Sequence, residues 1–452
     1  MAMAPNHLPP LFITSSQPCP VPQNLVRLLS PSSMTVETMM PLFVLLLSLS
    51  VTAPFLVGGS SPFVFERNEF VTRIDTEHGR VGVLPRFVDR SKLLRAIDDF
   101  RLGFLDMDPH AFMVPHHYDA DGLLFVVEGR GTISVMKENE KDRINFEEGD
   151  LVRIQSGSTV YFVNRDSNER LRIANLLKPV NVPGHVELFH GTSGKDRESF
   201  YTAFSLDVLE AALKTDRQSL EELFRQQLQP AVVIASKEQI EALSEGSRSN
   251  SSNAFNIFNK EPSKSNQYGQ LHEVDAHDFM DLKDLDVRVT FVNINPGAMI
   301  GPYFNSRVTV ICIVTKGEGN LEMAFPLRRH SRTYNRGSGQ QADQTYEAVR
   351  SGVQQGTVFV VPAGHPMVLL ASENDNLQIL LYEVNAEKNI RYPLAGKNNI
   401  ISLMDKEAKE LAIDFPSREV DRVFGNQEEE LFFAGPRHHR QQVQRRGGAV
   451  TA

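Results

Sequence analysis

The second half of this chain repeats the first, and no other feature of the sequence constrains its fold so strongly. Val126-Val127-Glu128-Gly129-Arg130-Gly131 returns 188 positions later as Val314-Thr315-Lys316-Gly317-Glu318-Gly319. Gly149-Asp150-Leu151-Val152-Arg153-Ile154-Gln155-Ser156-Gly157 returns 207 positions later as Gly356-Thr357-Val358-Phe359-Val360-Val361-Pro362-Ala363-Gly364. The offsets differ because the second copy carries an insertion between its motifs. That insertion is the Arg-, Gln- and Gly-rich run at 328–352, whose polarity predicts an extended solvated loop. Two similar units therefore lie in series, and a 452-residue chain that is 41% hydrophobic has material for two cores.

Each unit reads as strands followed by helices. Short β-branched and aromatic runs at 122–127, 132–136, 150–154 and 159–163 are separated by Gly, Asn and Asp, the pattern of an all-β domain. Ser205 then predicts an N-cap for a helix over 206–214. Ser219 predicts one for 220–228, where Leu220, Leu223, Phe224 and Leu228 recur at helical spacing before Pro230. A third helix is expected at 237–243. The second half repeats this with helices at 402–412 and 417–424, the latter opened by Pro416. Between the halves, residues 244–270 are dominated by Ser and Asn, which bury too little apolar area to offset ordering entropy, so a disordered linker is expected there.

The ends carry a different chemistry. Residues 41–57 are uncharged and apolar, too short for a comfortable membrane span, and read as the core of a signal peptide within a leader of residues 1–59, with cleavage after Gly59. No stable membrane association is expected once it is removed. The sequon Asn250-Ser251-Ser252 is then a candidate glycosylation site in the secretory pathway. Residues 436–452 form a basic, Gln-rich tail. The net charge of −9 offers no attraction to phosphate backbones, which excludes nucleic acid as an expected partner. Of the two cysteines, Cys19 and Cys312, the first lies in the leader, so neither an intrachain disulfide nor a cysteine-based zinc site is expected. Cys312, inside an apolar run, reads as an inert core thiol.

A strand ending in V-x-x-G-x-G, then about twenty residues, then G-D-x-x-x-(I/V)-P-x-G resembles the two-motif pattern of the cupin barrel. The tandem arrangement with helices after each barrel is similar to the vicilins, the 7S seed globulins. The residues at 115–135, 236–243, 295–310 and 356–366 carry that likeness. The resemblance implies a mainly β fold of two tandem cupin jelly-roll barrels, each followed by a short α-helical arm. The first barrel and arm would span 63–243 and the second 271–435. It further implies a storage protein held in the protein storage vacuole, packed as homotrimers through the helical arms and hydrolysed at germination for its amino acids.

Metal-dependent cupin enzymes hold the ion with a His-x-His pair, a Glu and a second-motif His, and this chain lacks most of that set. In the first half His116 and His117 are adjacent, Gly122 stands at the Glu position and Val160 at the second His position. In the second half the four positions hold Tyr303, Asn305, Val310 and Met367. No catalytic residue, no cofactor-binding residue and no cofactor are therefore expected. One residual metal candidate is the pair His365 and Tyr303, with His365 in a Gly-His-Pro turn. The alternative to storage is a secretory bicupin that binds a metal or small ligand in a barrel lined by His117, Tyr161, Tyr303 and His365.

Overall fold

The computed structural model describes residues 61–195, 197–225, 228–245, 254–326 and 346–437. The leader with its apolar core at 41–57, the sequon at Asn250, most of the 328–352 insertion and the tail after 437 lie outside the described residues.

The motif glycines explain why the chain doubles back into sheets at these points. Gly129 and Gly317 adopt φ of 85° and 80°. A Cβ at Gly129 would lie 2.4 Å from the Arg170 carbonyl oxygen, and one at Gly317 would lie 2.0 Å from that of Asn376. Only glycine fits such a turn. Two jelly-roll barrels result, each of two antiparallel sheets. In the first, a seven-stranded sheet orders Ala254–Asn256, Asp150–Ile154, Ala120–Glu128, Leu171–Pro179, Arg101–Met107, Gly79–Val83 and Val71–Thr76. It faces a six-stranded sheet centred on Ala111–Tyr118, Thr159–Asn164 and Arg130–Lys137. The second barrel repeats this with Asp150–Ile154 answered by Val358–Val361, Ala120–Glu128 by Thr309–Lys316, Leu171–Pro179 by Leu377–Val384, and Arg101–Met107 by Val287–Ile294.

The barrel boundaries need correction, because each barrel closes its edge with a strand from the other half of the chain. Val64–Phe65, assigned to the first barrel, pairs with Phe359 and Val358 of the second. Ala254–Asn256, assigned to a mobile linker, pairs with Val152, Leu151 and Asp150 of the first. Residues 254–270 are thus folded, with a further strand at Lys264–Asn266. Averaged composition hid the run Phe255-Asn256-Ile257-Phe258, whose Ile257 is fully buried and whose Phe258 packs edge-on against Phe291 at 5.0 Å. An unpaired edge would have exposed a row of backbone donors and acceptors. The insertion is likewise shorter than expected, since Tyr346–Gln354 is a strand paired along Glu318–Pro326.

The barrels pack back to back. Along Ala120–Glu128, Leu124 and Val126 point into the first barrel, while Leu123 and Phe125 join the core shared with the second. Phe125 stacks on Phe291 at 6.1 Å, and the Tyr382 hydroxyl donates to the Ala174 carbonyl at 3.2 Å.

The helical arms are Leu206–Leu213, Arg217–Arg225 and Lys237–Ser244 in the first half, and Lys406–Ile413 and Ser417–Phe424 in the second. Ser205 caps the first as expected, its hydroxyl accepting from the Val208 amide. The second starts earlier than predicted, because the Asp216 carboxylate takes the Ser219 amide at 2.9 Å. Among the described residues no helix is long and apolar enough to cross a membrane.

Candidate functional site: the two barrel interiors

A bulge decides which side chains face each interior. Val160 pairs with His116 and Phe162 with Met113, so one strand spends three residues where its partner spends two. The second barrel repeats the slip between Ile300 and Tyr303 opposite Leu369 and Met367. Such a bulge reverses the alternation of faces. The expected lining of His117 and Tyr161 is corrected to His116, turned inward by the bulge on its strand, and Phe162 on the regular partner strand. His117 lies outside, stacked on Phe189 at 4.9 Å, and Tyr161 packs on Phe112 at 5.6 Å.

The first interior is neutral. His116 is buried, and its Nδ1–H donates to the Val114 carbonyl at 2.8 Å, which leaves Nε2 as an acceptor without a partner. Desolvation pushes its pKa down to about 4, so the ring carries no charge at neutral pH. Tyr118 lies edge-on to it at 5.3 Å, with its hydroxyl pushed up to about 12 by burial. His116, Tyr118, Val160 and Phe162 line a cavity of ≈ 40 Å³ together with Asn175, whose Oδ1 also lacks a partner.

The second interior is occupied by a charge network that the motif comparison did not anticipate. Glu383 is fully buried. It accepts from Arg288 through Nε at 3.0 Å and through Nη2, and from the Thr290 hydroxyl at 2.8 Å. Arg391 donates to Glu273 at 2.8 Å and sits 3.5 Å from Glu383, with its guanidinium 5.4 Å from the Tyr303 ring centroid. Burial alone would raise the Glu273 carboxyl, but Arg391 and Arg288 hold it below its usual range. Burial likewise opposes charge on Arg391, yet Glu383 and Glu273 keep it firmly protonated. A signal was present in the sequence: Arg288 and Glu383 are the charged residues of strands otherwise free of charge, and a charge so placed must find a partner.

These residues do not fit the metal set of catalytic cupins. Val160, Val310 and Met367 are buried and supply no strong donor, and Gly122 has no side chain. Among the described residues no group of three or more His, Cys, Asp or Glu is placed to hold a metal. Each member of the proposed pair His365 and Tyr303 has its own surroundings. The charges that act on the buried Tyr303 hydroxyl are those of Arg391, Cys312, Glu383 and Glu273, whereas His365 stacks on Phe325 at 5.3 Å and bonds through Nδ1 to the Ala363 carbonyl at 3.0 Å. Cys312 is buried, and desolvation with Glu383 nearby pushes its thiol well up, as suits an inert group.

Comparison with known proteins agrees with this geometry. The family described as Cupin matches residues 255–418. The vicilin Pis v 3.0101 of Pistacia vera is 51% identical over 392 residues, which cover 84% of this chain and 71% of that protein. The crystal structure of vicilin from Corylus avellana superposes with a TM-score of 0.76 at 47% identity, covering 83% of this chain and all of that one. A vicilin structure from Solanum melongena, described as revealing different anionic ligands in structurally similar pockets, superposes with a TM-score of 0.77 at 35% identity, covering 83% of this chain and 99% of that one. With two jelly-roll barrels, a repeated bulge and identity of this order across most of its length, the chain belongs to the vicilins, the 7S globulins that serve as seed storage proteins.

Proposed function

We propose that this storage globulin is laid down in protein storage vacuoles as a closed homotrimer joined through its helical arms, and that it performs no catalysis and needs no cofactor. The observation that supports the trimer is the apolar surface left on both arms. Leu223 is 57% exposed and Leu411 86%, with Val208, Leu213, Leu403, Phe415 and Val423 each more than half exposed. Leaving such stripes in water is costly at about 25 cal/mol per Å². A head-to-tail contact that closes needs two complementary ends, and the internal repeat supplies one arm at each. Light scattering on the purified protein tests this: three chains per particle are expected, with dissociation on Leu223→Asp or Leu411→Asp. A monodisperse monomer at micromolar concentration overturns it. Enzymatic removal of N-glycans, read by mass, tests secretory passage with a glycan on Asn250.

One observation favours ligand binding in a barrel as a second reading. His116 Nε2 and Asn175 Oδ1 face the first cavity without partners, and buried acceptors of this kind call for a donor, from water or from a small ligand. Native mass spectrometry of protein taken directly from tissue tests for such a molecule. Elemental analysis beside a His365→Ala variant tests for a metal at His365 and Tyr303.

A further inference from the structure

A recess with apolar and charged walls lies between the barrels rather than inside either. It is a cleft of ≈ 260 Å³. Its floor is the outer face of the first barrel's sheet, where Arg80, Asp106 and Arg172 stand opposite one another on three neighbouring strands. Arg67 and Arg170 also line it, which brings four guanidiniums and one carboxylate to a single recess on a protein of net charge −9. Arg172 is matched by Asp106 at 2.6 Å and Arg170 by Asp108 at 3.1 Å. Arg80 meets only the Thr72 hydroxyl, and Arg67 has no polar partner among the described contacts, so two cations remain without a carboxylate. The stem of Arg67 lies across Gly356, where φ is +89° and a Cβ would come within 3.2 Å of its Cδ.

The remaining walls are mainly apolar, with Thr315 and Gln355 as their polar members. Phe70 and Phe104 meet edge to face at 5.3 Å, and Val127, Ile313 and Val314 extend the apolar surface. A cavity of roughly 150 Å³ accommodates a benzene ring. This cleft therefore has room for a ring and a short acidic side chain. Nothing in the sheet itself demands the arginines. At the corresponding row of the second barrel the cross-strand residues are Gln270, Asn293 and Gln378, which carry no charge.

We propose that the inter-barrel cleft is a binding site for a small aromatic carboxylic acid, with the carboxylate bridging Arg67 and Arg80 and the ring against Phe70 and Phe104. A charge-assisted contact of this type is about twice as strong as a neutral one. It gives orientation as well as affinity. The site is separate from the barrel cavities, and neither His116 nor Glu383 takes part in it.

Isothermal titration of the intact protein with 3-phenylpropanoate tests the proposal, beside 3-phenylpropan-1-ol and inorganic phosphate as controls. The acid should bind once per chain, and the alcohol and phosphate at least about tenfold more weakly. Arg67→Gln, at an exposed position, and the double variant with Arg80→Gln should each weaken the acid about tenfold or more without lowering the melting temperature. Absence of saturable binding overturns the site. Equal binding of the alcohol overturns the role of the arginines, equal binding of phosphate overturns the role of the ring, and undiminished binding to Arg67→Gln places the ligand elsewhere.

Discussion

The two barrels place the same backbone around very different interiors. Arg101 of the first stands opposite Leu177, and Arg288 of the second stands opposite Glu383, at matching positions of the repeated sheet. Lacking a carboxylate, Arg101 turns to carbonyl oxygens, donating to Leu84 at 3.1 Å and to Gly184 at 2.9 Å, and desolvation lowers its pKa. Arg288 instead joins the network with Glu383, Glu273 and Arg391. His116 and Tyr303 form a second matched pair, facing Val160 and Met367 across the same bulge. The jelly roll dictates which positions face inward. Whether a position holds a neutral acceptor beside a cavity or a member of an ion network depends on the residue opposite it.

Replacing Glu383 with the residue that its counterpart carries gives the harshest test of this comparison. Glu383→Leu removes the fully buried carboxylate that two half-buried guanidiniums share, and should cost about 3–5 kcal/mol in denaturant unfolding. A cost below about 1 kcal/mol, the scale of an exposed pair, would show that the second interior does not depend on its network.

A pH titration of stability separates the barrels by a somewhat smaller amount. The folded pKa of His116, about 4, lies below its unfolded value of 6.5, so unfolding takes up a proton as the pH falls between them. The stability that the neutral ring preserves at pH 7 is therefore lost on acidification. Between pH 7 and pH 4 the unmodified chain should lose about 3 kcal/mol more than a His116→Phe variant. Parallel pH profiles for the two proteins would mean that His116 is hydrated or paired in the folded state. The smallest effect concerns the seam where the interiors turn their backs on each other. Tyr382→Phe removes one buried hydrogen bond to Ala174 and should cost about 1 kcal/mol, read as a shift in the unfolding midpoint with the slope unchanged. A change in slope would show that this contact couples the unfolding of the two barrels.

Much of the architecture was legible because it rests on local chemistry. The glycines of the two motifs announce tight turns, the β-branched runs announce strands, and Ser205 announces a helix start, each through contacts within a few residues. The loss of the catalytic metal set was legible for the same reason, since Val, Gly and Met present no suitable donor wherever they point. What escaped was set by pairing over long distances. The strand at Ala254–Asn256 is held by partners about a hundred residues earlier, and its Ser- and Asn-rich surroundings mask it from any average over composition.

By itself the sequence determined that this protein has two like barrels with helical arms and other residues at most positions of the catalytic cupin ligand set, because the repeat and the residue types suffice for that. Only the tertiary structure decided which side of each strand faces inward, since one extra residue in a bulge exchanges His117 for His116. It alone decided that each half closes the other's edge, and that Glu273, Arg288, Glu383 and Arg391 meet. The physical reason is shared. Hydrogen-bond ladders and buried charges are satisfied by whichever group arrives in space, and a chain of alternating strands brings distant residues together in ways that local spacing does not record.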